Sequence, residues 1–322
     1  MRQVPLNLLS LYADIAQRAA LVDVQPASIS VKTIDGKRHL YAVTKDGSSR
    51  RQSYIGPADN AGAEAKAEAH RRAARMAQDQ RRSVMALRRS GLRGPTIEVG
   101  RLLESLANAG FFRLGATLIG TLAFQQFPLL VGAYLSEGAA LTEDADFAFT
   151  RFAVPRFIQC EPLDSILRRA DPSFRAHFNF DDKLPKAFVS ERGLKVELLT
   201  SRGRTDGPVP IKGLACAAVP LRFMEYLIEE TIDVVALYGA GVRVRVPDPA
   251  RYAVHKLIVT QLRPTHSPKR PKDLQQAREL FAALRAREPE TLDDAIDNAR
   301  SRGATWRRLV DAGLALLERP ER

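Results

Sequence analysis

Cysteine is scarce in this sequence of 322 residues, and its two cysteines lie far apart. Cys160 and Cys216 form neither a disulfide framework nor a Cys-x-x-Cys metal motif. We therefore expect no disulfide scaffold and no cysteine-based zinc site. Such sparing use of cysteine fits a protein of the reduced cytoplasm.

Hydrophobic runs without a polar interruption are also lacking. The N-terminal stretch "MRQVPLNLLSLYADIAQ" is interrupted by Asn7 and Asp14, so it does not contain the apolar core of a signal peptide. The most apolar stretch, residues 114–135, has the length of a membrane span but carries two glutamines and a proline in its middle. We expect a buried strand and helix there, and no membrane partner.

Acidic residues are too few to balance the basic ones, since 37 Asp and Glu stand against 49 Lys and Arg, a net charge of +12. Residues 1–94 hold 17 basic and 8 acidic side chains, whereas residues 95–322 hold 32 and 29. The excess in the N-terminal part indicates either a segment that faces nucleic acid or a solvated surface of high isoelectric point. Composition alone favours neither interpretation.

The N-terminal part has the pattern of a three-stranded meander followed by a long helix. "SISVKTI" and "RHLYAVT" flank the turn "DGKR", and a second Asp-Gly predicts another turn and a third strand. Residues 61–90 are rich in Ala, Arg, Glu and Gln, which predicts a helix closed by Gly91 and Gly94. The order is similar in pattern to the nucleic-acid-binding arms of phage-type integrases, although a small packing subdomain with a charged outer face has the same pattern.

Several arginines of this helix share one stripe, among them Arg71, Arg75, Arg82 and Arg89. A stripe of this kind suits a phosphate backbone, so we expect these four side chains to bind nucleic acid. The alternative is that they keep an exposed helix soluble.

Between residues 96 and 135 the sequence predicts a helix, a strand and a second helix. "TIEVGRLLESLANAG" is amphipathic, with Thr96 as its N-cap and Gly110 as its stop. "FFRLGATLIG" is interpreted as a strand and "TLAFQQFPLL" as a helix. At their junction, Gly120 followed by Thr121 would let the backbone approach a phosphate closely, although most such pairs are ordinary turns.

The stretch "LTEDADFAF", residues 141–149, places like charges beside an apolar run. Side chains two apart on a strand point the same way, so Asp144 and Asp146 share one face, ~6–7 Å apart, and Glu143 points to the other. Two like charges in one place are unfavourable unless a cation lies between them. A later strand, "LKVELL", carries Glu197 among apolar residues, and an isolated Glu of this kind usually points outward.

The C-terminal part contains a strong helix start, with Asp248 as N-cap and Pro249 at the first helical position. By itself, Lys256 on this helix is interpreted as a surface lysine whose stem lies along apolar neighbours. "RPTHSPKRPKD" predicts a basic, proline-rich loop, with Asp273 in the first turn of the helix that follows. Two further helices complete the tail.

In this order the elements resemble the polymerase-β-like nucleotidyltransferase superfamily, and most closely a bacterial branch related to abortive-infection and toxin nucleotidyltransferases. "LIGTLAFQQF" matches the Gly-Gly/Ser signature, "LTEDADFAF" the Asp-x-Asp and "GLKVELLT" the third acid. "VRVPDPARYAVHKLIV" and "KRPKDLQQARELF" match later segments, so the resemblance covers roughly residues 96–315. The sequence departs from the pattern at Thr121, at Glu197 in place of Asp, and at Gln275-Gln276, where toxin relatives often carry another acid.

The resemblance implies an α/β (α+β) fold, with a mixed β-sheet core, flanking helices, a helical C-terminal portion and a small N-terminal β-hairpin-plus-helix module. Together with the length of the chain, it suggests three parts. These are a basic module at 1–95, a catalytic core at 96–205 and a mainly helical portion at 206–322 that completes the active site.

The resemblance also implies a metal site of two Mg²⁺ ions, with Mn²⁺ as the alternative, held by Asp144, Asp146 and Glu197. Two such ions about 3.5–4 Å apart can clamp the attacking and leaving oxygens of a phosphoryl transfer, and they take hard oxygen ligands.

The remaining site residues that the resemblance implies surround the substrate. Gly120, Thr121 and Lys256 would bind the nucleoside triphosphate, and Lys256 and Asp273 are further catalytic candidates.

The predicted function is Mg²⁺-dependent transfer of a nucleotidyl group from a nucleoside triphosphate to an RNA end or a protein hydroxyl. A tRNA or another RNA bound by the basic module, and a partner protein from the same operon, are the partners we consider. The alternative is a nucleic-acid-binding protein that senses nucleotide with little turnover.

Overall fold

The computed structural model describes residues 1–20, 24, 26–46, 49–136, 144–150, 161–178, 183–203 and 207–318. The helices are α1 (Leu6–Ala20), α2 (Ala61–Arg89), α3 (Ile97–Asn108), α4 (Gly120–Phe124), α5 (Pro128–Val131), α6 (Leu163–Ala170), α7 (Met224–Glu229), α8 (Pro249–Leu262), α9 (Lys269–Arg287), α10 (Pro289–Ser301) and α11 (Ala304–Leu317). The strands are β1 (Ser28–Ile34), β2 (Lys37–Asp46), β3 (Ser49–Pro57), β4 (Thr117–Leu118), β5 (Asp144–Phe149), β6 (Arg175–His177), β7 (Ala187–Val189), β8 (Lys195–Ser201), β9 (Val209–Ile211), β10 (Cys216–Leu221), β11 (Thr231–Ala236) and β12 (Val242–Pro247). The predicted mixed α/β class is confirmed.

A mixed sheet of order β4-β5-β8-β10-β9 forms the centre of the fold, and β7 and β6 extend it beside β8. Strand β5 runs parallel to β8 and β8 parallel to β10, whereas β4 and β9 are antiparallel to their neighbours. Ala145 and Phe147 of β5 are fully buried, and Phe147 packs edge-on against Phe111 with ring centroids 5.2 Å apart. The alternation along β5 therefore anchors one face in the core and leaves the face of Asp144 and Asp146 for the site.

The strand predicted at residues 111–120 is largely wrong. Phe111–Leu114 is a 3₁₀ helix, and only Thr117–Leu118 form a strand. Phe111, Phe112 and Leu114 are all buried and only Arg113 between them is exposed, so the short run shows no period that distinguishes strand from helix. The helical prediction that follows is confirmed as α4 and α5.

The C-terminal predictions are confirmed for α8, α10 and α11, and the Asp248 carboxylate accepts hydrogen bonds from the N–H groups of Ala250 and Arg251 at 2.9 and 3.0 Å. The basic loop is shorter than predicted, because α9 begins at Lys269. Asp273 consequently lies in the second turn of α9, where it is buried, and not in the first turn.

The N-terminal meander and long helix are confirmed as β1–β2–β3 and α2, although the second Asp-Gly turn reaches residues 47–48, outside the described residues. The sheet packs on α2 through Leu40, Ala63 and Ala67. Gly56 makes this close packing feasible, since a Cβ there would lie 2.7 Å from the Cβ of Ala63.

Helix α1, which the sequence pattern did not predict, fastens the N-terminal part to the rest of the chain. The Tyr12 hydroxyl accepts a hydrogen bond from the backbone N–H of Val235 in β11 at 2.9 Å. Ile15, Val84 and Leu237 belong to the same apolar cluster as Tyr12. In the part of the chain that the structure describes, no helix is both long and apolar enough to cross a membrane.

Candidate active site

Three carboxylates occupy neighbouring positions where β5 and β8 run side by side. Asp144 and Asp146 are half-buried on the same face of β5. In the parallel register Glu197 lies opposite Asp146, and Lys195 lies opposite Asp144. The structure thus brings together the three predicted acids, while Glu143 lies outside the described residues.

The carboxylate of Asp146 is held in an unfavourable environment. Burial, followed by the negative charges of Glu197 and Asp144, raises the pKa of Asp146 to about 6. A buried carboxylate with acidic neighbours favours the binding of a cation, since the cation offsets both the desolvation and the repulsion.

Lysines contact two of the three carboxylates, those of Asp144 and Glu197. The Nζ atom of Lys269 lies 3.1 Å from Oδ2 of Asp144, and the Nζ atom of Lys195 lies 2.8 Å from Oε1 of Glu197. The hydrogen bond to Glu197 raises the pKa of Lys195. All four side chains are partly exposed, at 34 to 63% of their surface, so these ion pairs are weak and readily exchanged.

A cavity of about 750 Å³ opens between this end of the sheet and helices α8 and α9. Its volume lies in the range that encloses a small-molecule ligand. Six of the predicted site residues line it, namely Gly120, Thr121, Asp144, Asp146, Lys256 and Asp273. Glu197 is not among the lining residues, because its side chain turns toward Lys195.

The turn at Gly120 lies directly against Asp146. Gly120 has a φ of +61°, and a Cβ at this position would lie 2.7 Å from Oδ2 of Asp146. The Tyr252 hydroxyl donates to the carbonyl oxygen of Gly120 at 2.8 Å, which fixes the turn to α8. Both the backbone conformation and the close approach therefore require glycine.

Basic side chains from α8, from the residue that follows it and from α9 form the opposite wall of the cavity. Among the described residues these are Lys256, Arg263, Lys269 and Lys272. Lys256 is only 8% exposed, so the interpretation as a surface lysine is wrong. Its Nζ donates to Oδ1 of Asp273 at 2.5 Å, and Arg263 donates to the other oxygen of the same carboxylate.

Asp273 differs from Asp146 because cations surround it. Burial acts to raise its pKa, but the charges and hydrogen bonds of Lys256 and Arg263 outweigh that effect and lower the pKa below its ordinary value. Asp273 therefore holds the side chains of Lys256 and Arg263 in place in the basic wall of the cavity.

His255 lies in the same wall as Lys256 and is buried. Burial, followed by the charge of Lys256, lowers its pKa to about 3, which makes it a neutral core residue at physiological pH.

The pattern reasoning did not identify Lys269, Lys272 and Lys195 as site residues. The signal for the first two was present in "KRPKD", because lysines three apart share a helix face. The prolines within and directly before this segment favour a loop, and a loop has no such face. The contact of Lys195 with Glu197 joins side chains two apart on β8, which the alternation of the strand could have predicted.

The arginine stripe of α2 is outside the cavity, and most of it is engaged within the helix. Arg71 contacts Glu64 and Glu68 at 2.7 and 3.2 Å, and Arg75 contacts Glu68 at 2.5 Å. Similarly, Arg82 lies 3.7 Å from Asp79.

The donor set at β5 fits a hard cation that is shared with a substrate. Among the described residues, no group of three or more His, Cys, Asp and Glu side chains is placed so that it could hold a metal ion. Mg²⁺ is commonly held by one or two carboxylates together with waters and substrate phosphates, and Asp144 and Asp146 match that requirement.

A family model and a solved structure are similar to this chain. A family model described as nucleotidyltransferase matches residues 97–301. Among solved structures, an antigenic nucleotidyltransferase-like protein from Paracoccidioides brasiliensis is 14% identical, with a TM-score of 0.33, over 66% of this chain and 92% of that chain. No curated protein matches the sequence.

Proposed function

Because the chain belongs to the nucleotidyltransferase family, we propose that its cavity binds a nucleoside triphosphate with Mg²⁺ and transfers the nucleotidyl group to a hydroxyl. In such a reaction the acceptor oxygen bonds to the α-phosphorus, the bond to the β-phosphate oxygen breaks, and pyrophosphate leaves. The observation that carries the proposal is a single cavity with the Asp144–Asp146 pair on one wall and four basic side chains on the other.

Asp144 and Asp146 are the proposed metal ligands. When bound, Mg²⁺ would polarise the phosphate oxygens and stabilise the attacking and leaving oxygens. The raised pKa of Asp146 supports this role, because the carboxylate is stabilised by a divalent cation more than by the protein around it. The exposed Lys269 would leave Asp144 and contact a phosphate oxygen of the substrate instead, since its ion pair with Asp144 is weak.

The basic wall would bind the triphosphate. Lys256 and Arg263 are oriented by Asp273, so little side-chain entropy is lost when they meet the phosphates. Gly120 lets a phosphate approach Asp146 without a side chain in between, and Thr121 lies beside it. Across the cavity, Leu221, Met224 and other apolar side chains offer a surface for the sugar and base.

Glu197 is the proposed third acid. Its binding to the metal depends on the ion pair that it forms with Lys195. It would join the metal only after Lys195 exchanges its carboxylate for another anion. The same ion pair, together with Lys269 on Asp144, favours the second candidate function, a nucleotide sensor with little turnover. Three points stay predictions. These are the relation to the toxin branch, the RNA or protein acceptor, and phosphate binding by the arginine stripe.

Incubation with each α-labelled nucleoside triphosphate, Mg²⁺ and total cellular RNA tests the proposal. Label on RNA or on protein that Asp146→Asn abolishes would support transfer and identify the acceptor class. Tight triphosphate binding by calorimetry with no label transferred would favour the sensor. No binding of any triphosphate would reject both.

A further inference from the structure

The three-stranded N-terminal sheet has one face that α2 covers and one that it does not. Leu40 and Ala42 of β2 are 2 and 3% exposed, and Leu40 packs against Ala63 and Ala67 of α2. Since side chains alternate along a strand, His39 and Tyr41 point to the opposite side. We call this side the outer sheet face and define it by Lys32, His39, Tyr41, Gln52 and Tyr54, with Ser30 and Arg50 at the neighbouring positions.

A bulge keeps the aromatic residues of two strands on this face. Tyr41 pairs with Tyr54, whereas Leu40 pairs with Gly56, so Ile55 is the extra residue in β3. Ile55 packs with the small core on the α2 side. The inserted residue thus allows Tyr54 to face outward next to Tyr41 while Ile55 contributes to packing.

The rings of His39, Tyr41 and Tyr54 lie next to one another, with Tyr54 exposed and the other two half-buried. Tyr54 is 56% exposed, its ring centroid lies 5.4 Å from that of Tyr41, and its hydroxyl is 3.1 Å from Nδ1 of His39. Burial in the fold does not account for Tyr54, because more than half of its surface meets solvent. An exposed ring with further aromatic rings beside it is the kind of surface that unstacked nucleobases pack against.

The charge of the outer sheet face complements a phosphate backbone. By strand alternation, Lys32 and Arg50 lie on this face, whereas Arg38 and Arg51 lie on the α2 side. The Nζ atom of Lys32 lies 4.9 Å above the Tyr41 ring and donates to Gln52 Oε1 at 2.5 Å. Among the side chains of this face that the structure describes, none is acidic.

We propose that the outer sheet face binds single-stranded RNA, with bases stacked on Tyr54 and Tyr41 and phosphates near Lys32 and Arg50. A duplex hides the faces of its bases, so it would leave the rings unused. Ser30 lies opposite Tyr41 in the register, and its hydroxyl, like the Gln52 amide, suits the ribose 2′-hydroxyl that distinguishes RNA from DNA.

This site differs from the arginine stripe of α2, whose Arg71, Arg75 and Arg82 contact acids of their own helix. The idea that the bound RNA strand is also the acceptor rests on the proposed function. The binding of RNA to this face is independent of the proposed function, and it can be measured without any triphosphate.

Fluorescence anisotropy of the full chain with a labelled 20-nucleotide single-stranded RNA tests the proposal. Loss of one stacking ring should weaken binding by about 5- to 100-fold, so we expect this for Tyr54→Ala and Tyr41→Ala, whereas Tyr54→Phe should bind like the wild type. Phe178→Ala is the matched control, since Phe178 is an equally exposed aromatic residue at 53%. Lys32→Gln should lower the slope of log affinity against log salt by about 1.

Unchanged affinity in a folded Tyr54→Ala protein would overturn the proposal, and so would equal affinity for duplex RNA or for DNA of the same sequence. The quadruple replacement of Arg71, Arg75, Arg82 and Arg89 by Gln should weaken binding less than Tyr54→Ala. A larger loss there would assign the RNA to α2 instead.

Two results separate this inference from the proposed function. Asp146→Asn should bind RNA like the wild type, and Tyr54→Ala should bind a non-hydrolysable triphosphate like the wild type. If the wild type transfers no label but its RNA binding still depends on Tyr54, the proposed function is rejected and the RNA-binding site is supported.

Discussion

The β5 side and the α8–α9 side of the cavity both hold a carboxylate near lysines, yet the pKa of that carboxylate moves in opposite directions. On β5, burial and two neighbouring acids raise the pKa of Asp146 to about 6. On α9, Lys256 and Arg263 lower the pKa of Asp273 despite its burial. Proximity to a lysine therefore does not by itself indicate what a carboxylate does.

The difference lies in how many charges of each sign surround the acid. Asp146 shares its surroundings with Asp144 and Glu197, so it is destabilised by the fold and stabilised by an added cation. Asp273 already has two cationic partners and stabilises the arrangement of both. The proposed metal binding by Asp146 and the positioning of Lys256 and Arg263 by Asp273 can therefore be tested separately.

The largest effect is expected for activity in Asp146→Asn. Removal of the charge should lower nucleotidyl transfer by roughly 10³-fold or more, because the oxygens of the reacting phosphate lose their charge stabilisation. The fold should persist, since asparagine has the same shape and relieves repulsion. Transfer of labelled nucleotide, with the melting temperature as control for folding, provides the measurement. Asp144→Asn should behave likewise, and undiminished transfer in either variant would contradict the metal assignment.

The next effect concerns stability in Asp273→Asn. Removal of one partner leaves the buried Lys256 without its counterion, and breaking a buried pair costs about 3–5 kcal/mol. The matched control is Asp311→Asn, which loses an exposed contact with Arg300 and should cost less than about 1 kcal/mol. Urea unfolding of the two variants compares them directly. Equal losses would mean that Asp273 does not organise the basic wall.

Opposite pH dependences should distinguish the two acids. The folded-state pKa of Asp146 is raised from 3.8 to about 6, so its ionisation destabilises the fold as pH rises through that window. Asp146→Asn should therefore be more stable than the wild type by up to about 3 kcal/mol above pH 7, with the difference vanishing toward pH 4. This follows from a shift of about two pKa units.

The Asp273 pKa is lowered in the folded state, so its contribution is present above the unfolded value of 3.8 and is lost as pH falls. The deficit of Asp273→Asn should accordingly be full at neutral pH and shrink in acid. Urea unfolding from about pH 2 to pH 8 in the presence of a chelator measures both series, since the Asp273 contribution is lost below its unfolded pKa of 3.8. Slopes of the same sign would refute the comparison.

The sequence predicted the β5 side of the cavity better than the α8–α9 side. Two acids in strand alternation and a Gly-Thr junction follow from local periodicity, and the structure places Asp144, Asp146 and Gly120 around one cavity. The α9 contribution depended on where the helix begins. Pro268 and Pro271 in "SPKRPKD" suggested a loop, but proline is tolerated in the first turn of a helix, and α9 starts at Lys269.

Partners across long sequence separations could not be predicted from periodicity. The contact of Lys269 with Asp144 joins residues 125 positions apart, and the hydrogen bond from Tyr252 to Gly120 spans 132. Such contacts arise from the packing of α8 and α9 against the sheet. Pattern reasoning placed each residue on its own element, and only the tertiary fold showed that they meet.

The smallest expected effect sharpens the β5 side through the turn that touches it. Gly120→Ala adds a Cβ that would lie 2.7 Å from Oδ2 of Asp146, at a φ of +61°. Gly193→Ala is the matched control, because Gly193 has a φ of +86° and open space within 4 Å of the added Cβ. Both variants should lose about 1–2 kcal/mol of stability from the left-handed conformation. Only Gly120→Ala should displace the Asp146 carboxylate, so it alone should bind a non-hydrolysable triphosphate with Mg²⁺ roughly tenfold or more weakly in calorimetry. Equal triphosphate affinity in the two alanine variants would show that the turn at Gly120 serves the backbone and not the ligand.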